Sequence, residues 1–281
     1  MTRDTVDPAP YPEYAVKTWG YLRLAMIALV VGLAVSILFE LGQPGGCVET
    51  SISAYFYTPV HSYFVGTLIG MAVCLVCLRG STATEDVLLN LAGMFAPIVG
   101  FVPTPDPGTC GSFREAVDGV DVNVANNVFA LLALGALALV AAGVLTWRSD
   151  RTRPGLISYA AAVILWVVTT LVFALARCFF LGTAHYAAAI LLFVSIFAVA
   201  VNNAFDYKGK GVGDSLKNRY MAIAGLMVLA ALLAGAAAIA HWPYATIAIE
   251  TAFIVLFGVF WGVQTWELRT PGLRVADPSR P

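Results

Sequence analysis

Charge is what this chain has least of. Only 12% of its 281 residues are Asp, Glu, Lys or Arg, about half the share of an ordinary soluble domain. With 59% of residues hydrophobic, the solvent that fits is a bilayer rather than water. The net charge is −1 and no basic stripe runs through the sequence, so nucleic acid is not an expected partner. Histidine is also scarce. The three present are scattered, with no H-E-x-x-H or H-x-x-x-H pair, which removes the usual local signature of a zinc site. The glycines of "DYKGKGVGDSLKNRY" lack the G-x-x-x-x-G-K-[ST] pattern of a phosphate loop. That segment reads instead as a flexible basic linker near anionic lipid headgroups. The first apolar run follows a polar tail, and "FELGQPGG" after it has no small-x-small cleavage site, so it reads as a retained helix rather than a signal peptide.

What is abundant is apolar sequence in runs long enough to cross a bilayer, for which roughly 20 residues suffice. Eight such runs occur, at about 22–41, 59–78, 86–103, 124–146, 155–177, 183–202, 220–241 and 244–266. The expected fold is an all-α, polytopic transmembrane bundle over residues 22–266, with tails at 1–21 and 267–281. Lysine and arginine collect in cytoplasmic segments of membrane proteins. Of the 16 here, all but Arg114 and Arg177 fall in the tails, at the start of run 1 or in the loops after runs 2, 4 and 6. Both termini are therefore expected in the cytoplasm and the protein in the cytoplasmic membrane, with "GQPGGCVETSISAYFYTPVHSYF" (42–64) facing out. Cys47 and Cys110 then share the oxidising side, where a disulfide between them is permitted. Cys74 and Cys77, inside run 2, read as small packing residues.

Local signals sharpen several ends. "TP" at 58–59 suggests an N-cap threonine with proline in the first turn of helix 2, and "LGT" suggests a helix 6 capped by Thr183 with His185 in its first turn. Gly66 and Gly70 have the G-x-x-x-G spacing of close helix contacts. Pro97 suggests a kink in helix 3, and Pro243 the start of helix 8.

The candidate site gathers at the expected outer ends. His61, His185 and His241 map there, as do Asp106, Arg177 and Glu250, with Ser51, Ser53 and Tyr55 in the loop between helices 1 and 2. Ionisable groups inside a membrane mark cavities and function, because lipid exposure is expensive; Glu250 stands out as the carboxylate deepest within a span. Three readings stay open. Histidines and Asp106 would hold zinc that activates water; a polar pocket would bind a small ligand, lipid headgroup or ion, with Arg177 pairing an anion or Glu250; or the polar residues simply sit at the interface. No cofactor is required by the second or third reading.

The stretches "SISAYFYTPVHSYFVGTL", "NLAGMFA", "FVPT", "AHYAAA" and "LKNRY", with Glu250 in the last helix, resemble a family of uncharacterised bacterial multi-pass membrane proteins. Members have about six helices, so the resemblance implies that helices 4 and 5 (about 124–177) are an added hairpin, and it implies no function. More distantly, Ser51 or Ser53, Asp106 and the three histidines resemble the inventory of the seven-helix hydrolase superfamily of alkaline ceramidases and adiponectin-type receptors. That likeness implies zinc-dependent cleavage of a lipid amide or ester, although the superfamily's paired H-x-x-x-H is missing here.

Overall fold

The computed structural model describes residues 12–104, 120–148, 153–206 and 214–269. Among them are eight α-helices and no strand: α1 (Glu13–Leu41), α2 (His61–Cys77), α3 (Ala83–Phe101), α4 (Val120–Arg148), α5 (Arg153–Leu175), α6 (Arg177–Asp206), α7 (Asp214–Ile239) and α8 (Ala245–Glu267). Seven are long and apolar enough to cross a membrane; α2, with 17 residues, is the short one. Each expected run is a helix, and the protein is a polytopic helical membrane protein.

Packing runs from α1 to α2, α3, α6, α7 and α8 and back to α1. α4 and α5 lie beside this group of six, against α3 and α6. Their outward faces expose large apolar side chains such as Phe129, Leu137, Ile164 and Leu175. Such faces suit hydrocarbon, where an apolar helix surface carries no cost. Inside the group, one apolar cluster centres on Met26, Leu75, Tyr220, Phe260 and Trp261, and a second on Tyr55, Phe64, Phe95, Val99 and Phe180.

Why α2 is short explains much of the site. At about 1.5 Å per residue, its 17 residues reach less far than its neighbours. The chain before it fills the remaining depth as a buried 3-10 turn, Ser53–Tyr57. Non-helical backbone survives among membrane helices only when its polar groups are satisfied by protein or border a cavity. Here the Tyr55 and Ile52 carbonyls accept from Thr58 and Tyr55 N–H, and Ala54 N–H donates to the Ser51 hydroxyl at 3.0 Å.

Several local expectations need correction. The Thr58 hydroxyl accepts from Val60 N–H at 3.2 Å, as a cap would, but the α-helix proper begins at His61. α6 begins at Arg177, not after Thr183, so His185 is well inside it; the Thr183 hydroxyl donates back to the Phe179 carbonyl at 2.6 Å instead of capping. Gly182 does not end the helix, because helical glycine is tolerated among apolar neighbours. Pro97 lies inside α3, whereas Pro243 does not start α8 but lies in the turn before it, with Tyr244 as the N-cap. Of the G-x-x-x-G pair, Gly70 meets Leu29 closely while Gly66 meets nothing within 4 Å. The tight α2–α3 approach is made at Gly93, where an added Cβ would lie 2.6 Å from Val76 Cγ2.

Candidate functional site

The site is assembled from four pieces of chain that meet at the Ser53 turn. The first is the turn itself, tied to α8 when Ile247 N–H, one of the orphan donors of that helix's first turn, donates to the Thr50 carbonyl at 2.9 Å. The second is α8, where Glu250 is the sixth residue. Its carboxylate accepts from Ile52 N–H at 2.6 Å, and its other oxygen lies 3.4 Å from Ser53 Oγ. The third is α6, which supplies His185, and the fourth is the end of α3.

His185 is 2% exposed and uses both ring nitrogens. Nδ1 lies 2.6 Å from the Val102 carbonyl and Nε2 lies 2.9 Å from Ser53 Oγ. A carbonyl can only accept, so Nδ1 carries a proton, and in the neutral ring Nε2 then accepts from the Ser53 hydroxyl. Nearby, Thr104 Oγ1 and Tyr186 OH are 2.9 Å apart, and Tyr57 OH donates to the Thr104 carbonyl at 2.7 Å.

These groups cap one end of a cavity of about 550 Å³. Thr50, Ser51, Ser53, Thr104, His185, Tyr186 and Glu250 contribute the polar end; Phe193, Val194, Phe197, Met227, Val228, Ala231, Leu232 and Phe253 contribute apolar walls. The wall residues Val194, Val228 and Leu232 are exposed, so the apolar wall that α6 and α7 give the cavity is not sealed. A smaller cavity of about 80 Å³ shares Ser53 and Glu250 and is lined by the buried Thr67, whose hydroxyl has no hydrogen-bond partner. That is room enough for water, which needs about 10–15 Å³ of such space and a few polar partners.

Four of the sequence candidates, Ser51, Ser53, His185 and Glu250, therefore share one cavity. The others stand elsewhere. Tyr55 is buried in the turn with its hydroxyl accepting from Glu49 N–H at 3.4 Å; burial pushes its phenol up from the ordinary value, against a lowering by that backbone bond. The Arg177 side chain is exposed at the start of α6, its guanidinium 5.7 Å from the Phe173 ring centre, while Glu250 is held by Ile52 and Ser53 rather than by an arginine. His61 is exposed, with Nδ1 2.8 Å from the Phe56 carbonyl. His241 sits in the α7–α8 turn with φ of 57°. No three His, Cys, Asp or Glu side chains among the described residues come together as metal ligands, and Asp106 lies outside those residues. Cys47 is disulfide-bonded, Cys74, Cys77 and Cys178 are free, and Cys110 lies outside the described residues, as do the glycines of the loop after α6.

A second polar cluster, at the other end of the bundle, was not among the sequence candidates. Arg23 Nε donates to Gln264 Oε1 at 3.2 Å, Gln264 Nε2 to Glu85 Oε1 at 2.9 Å, and Asn203 Nδ2 to the same oxygen at 3.0 Å. Glu85 Oε2 accepts from Ser81 N–H at 2.7 Å, beside the Thr82 cap of α3. All four side chains are 1% exposed or less. The signal is in the sequence: Asn203 and Gln264 are amides at the ends of apolar runs, and Arg23 is a cation at the start of another.

No protein-family model, no curated protein and no solved structure matches the chain.

Proposed function

We propose that the protein binds a single-chain, lipid-like amphiphile, its uncharged polar head against Ser53, His185 and Glu250 and its tail along the apolar walls of α6, α7 and α8. The observation that carries this is the cavity itself. Its volume of about 550 Å³ falls in the roughly 300–1,000 Å³ range of ligand sites, which pair apolar walls with a few convergent polar groups. The exposed apolar wall along α6 and α7 gives entry from the bilayer. No lysine or arginine is among the described residues lining it, so a phosphate head finds no cation among them, whereas hydroxyl, ester and amide groups find both donors and acceptors.

The test is photocrosslinking in bilayer nanodiscs with a monoacyl lipid carrying a tail diazirine. Adducts on Val194, Val228 and Leu232, suppressed by excess unlabelled monoacylglycerol, are expected. Adducts spread evenly over α4 and α5 would end the proposal.

We infer further that the cavity faces away from the cytoplasm and both termini face it, on the distribution of lysine and arginine, with Cys110 as the partner of Cys47. An impermeant maleimide applied to intact cells after reduction should label position 47; labelling only after permeabilisation reverses the orientation.

A further inference from the structure

We propose that Ser53 and His185 form a nucleophile–base pair that cleaves an ester of the amphiphile held in this cavity. The proposal rests on the binding reading above and adds chemistry to it.

An activated serine needs a base within hydrogen-bond reach and a third group that orients the base. Ser53 Oγ and His185 Nε2 are 2.9 Å apart, and the Val102 carbonyl, 2.6 Å from Nδ1, fixes the tautomer that leaves Nε2 free to accept. The orienting group is thus a backbone carbonyl at the end of α3 rather than a carboxylate. Glu250 competes poorly for the serine proton, since its oxygen is 3.4 Å away, whereas its other oxygen holds Ile52 N–H at 2.6 Å. It is a positioning residue that anchors the turn carrying the nucleophile. Both members of the pair face the cavity, and both are buried. A merely structural serine–histidine bridge has no need of a cavity beside it.

The chemistry balances within the pair and one water. The Ser53 proton passes to Nε2 as Oγ bonds to the acyl carbon. The carbon–oxygen bond to the alcohol then breaks, the alcohol leaving with the Nε2 proton and the acyl group remaining on Ser53. A water gives a proton to Nε2 and its oxygen to the acyl carbon, and Ser53 departs with that proton as the free acid forms.

A dodecyl fluorophosphonate tests this on the full chain in nanodiscs. Attack by Ser53 forms an oxygen–phosphorus bond and expels fluoride, leaving an adduct that peptide mass spectrometry locates. A parallel binding assay uses the dodecyl phosphonate diester, which has no fluoride to lose. The expected result is one adduct at Ser53, slowed about 100-fold or more in His185→Gln, in keeping with the loss of a general base, and absent in Ser53→Ala. Diester binding with no adduct at Ser53 overturns the nucleophile while leaving the binding site standing. An unchanged rate in His185→Gln overturns the base. Neither adduct nor diester binding overturns this proposal and the binding reading together. The wild-type measurement decides even if a variant fails to fold.

Discussion

α6 and α8 each carry a polar side chain near both ends, His185 and Asn203 on α6 and Glu250 and Gln264 on α8, and the two ends are built to different purposes. At the Arg23 end, Glu85, Asn203 and Gln264 bond to one another, and neither cavity reaches them. At the Ser53 end, His185 and Glu250 bond to the turn but also border open space. A sealed network joins helices together; a network with one open side presents its groups to something else. Burial of polar residues in a membrane protein therefore does not by itself identify function. The open side does.

Substitutions that separate the two ends test this contrast. The largest effect is expected for Glu85→Ala, which leaves Ser81 N–H, Asn203 and Gln264 without their shared acceptor and leaves Arg23 facing a broken network. Loss of one member of a buried charged network costs about 3 kcal/mol or more. Reversible unfolding in mixed micelles should show it, with little change in amphiphile bound per folded molecule. Glu250→Gln should do the reverse. The isosteric amide can still accept from Ile52 N–H, so stability should shift by less than about 1 kcal/mol. Binding of the phosphonate diester should fall about tenfold, equivalent to about 1.4 kcal/mol, as the polar end of the cavity is rearranged. The smallest effect belongs to Leu137→Ala on α4, which is 70% exposed. It should stay within about 0.5 kcal/mol and leave binding unchanged. A clear loss of binding there would mean that the peripheral hairpin takes part in the site.

The helices were legible because apolar runs need no partner to declare themselves in a bilayer. The bundle's inner connections were not. The start of α6 at Arg177 was hidden by "LGT", which resembles a loop only if glycine is assumed to end a helix. Glu250 was readable as an ionisable group inside a span, and His185 as one near a helix start. Their meeting at Ser53 was not, because it depends on α2 being short and on the 3-10 turn descending beside α8. His61 and Arg177 shared the sequence signature of His185 but lie exposed, since which face of an almost wholly apolar helix turns inward is not written in its hydropathy. Arg23, Asn203 and Gln264 escaped notice because polar residues at run ends look interfacial until a partner is seen.

Filling the cavity is the most direct test. Ala231, on α7, lines the cavity and is exposed, so Ala231→Trp should fill the cavity from its exposed wall without disturbing either hydrogen-bonded end. The amphiphile that co-purifies with each protein would be extracted and counted by mass spectrometry, alongside melting temperature. The prediction is near-stoichiometric single-chain amphiphile on the wild type and several-fold less on the variant, at equal stability. Equal amounts on both would contradict the claim that this cavity is where the protein binds its ligand.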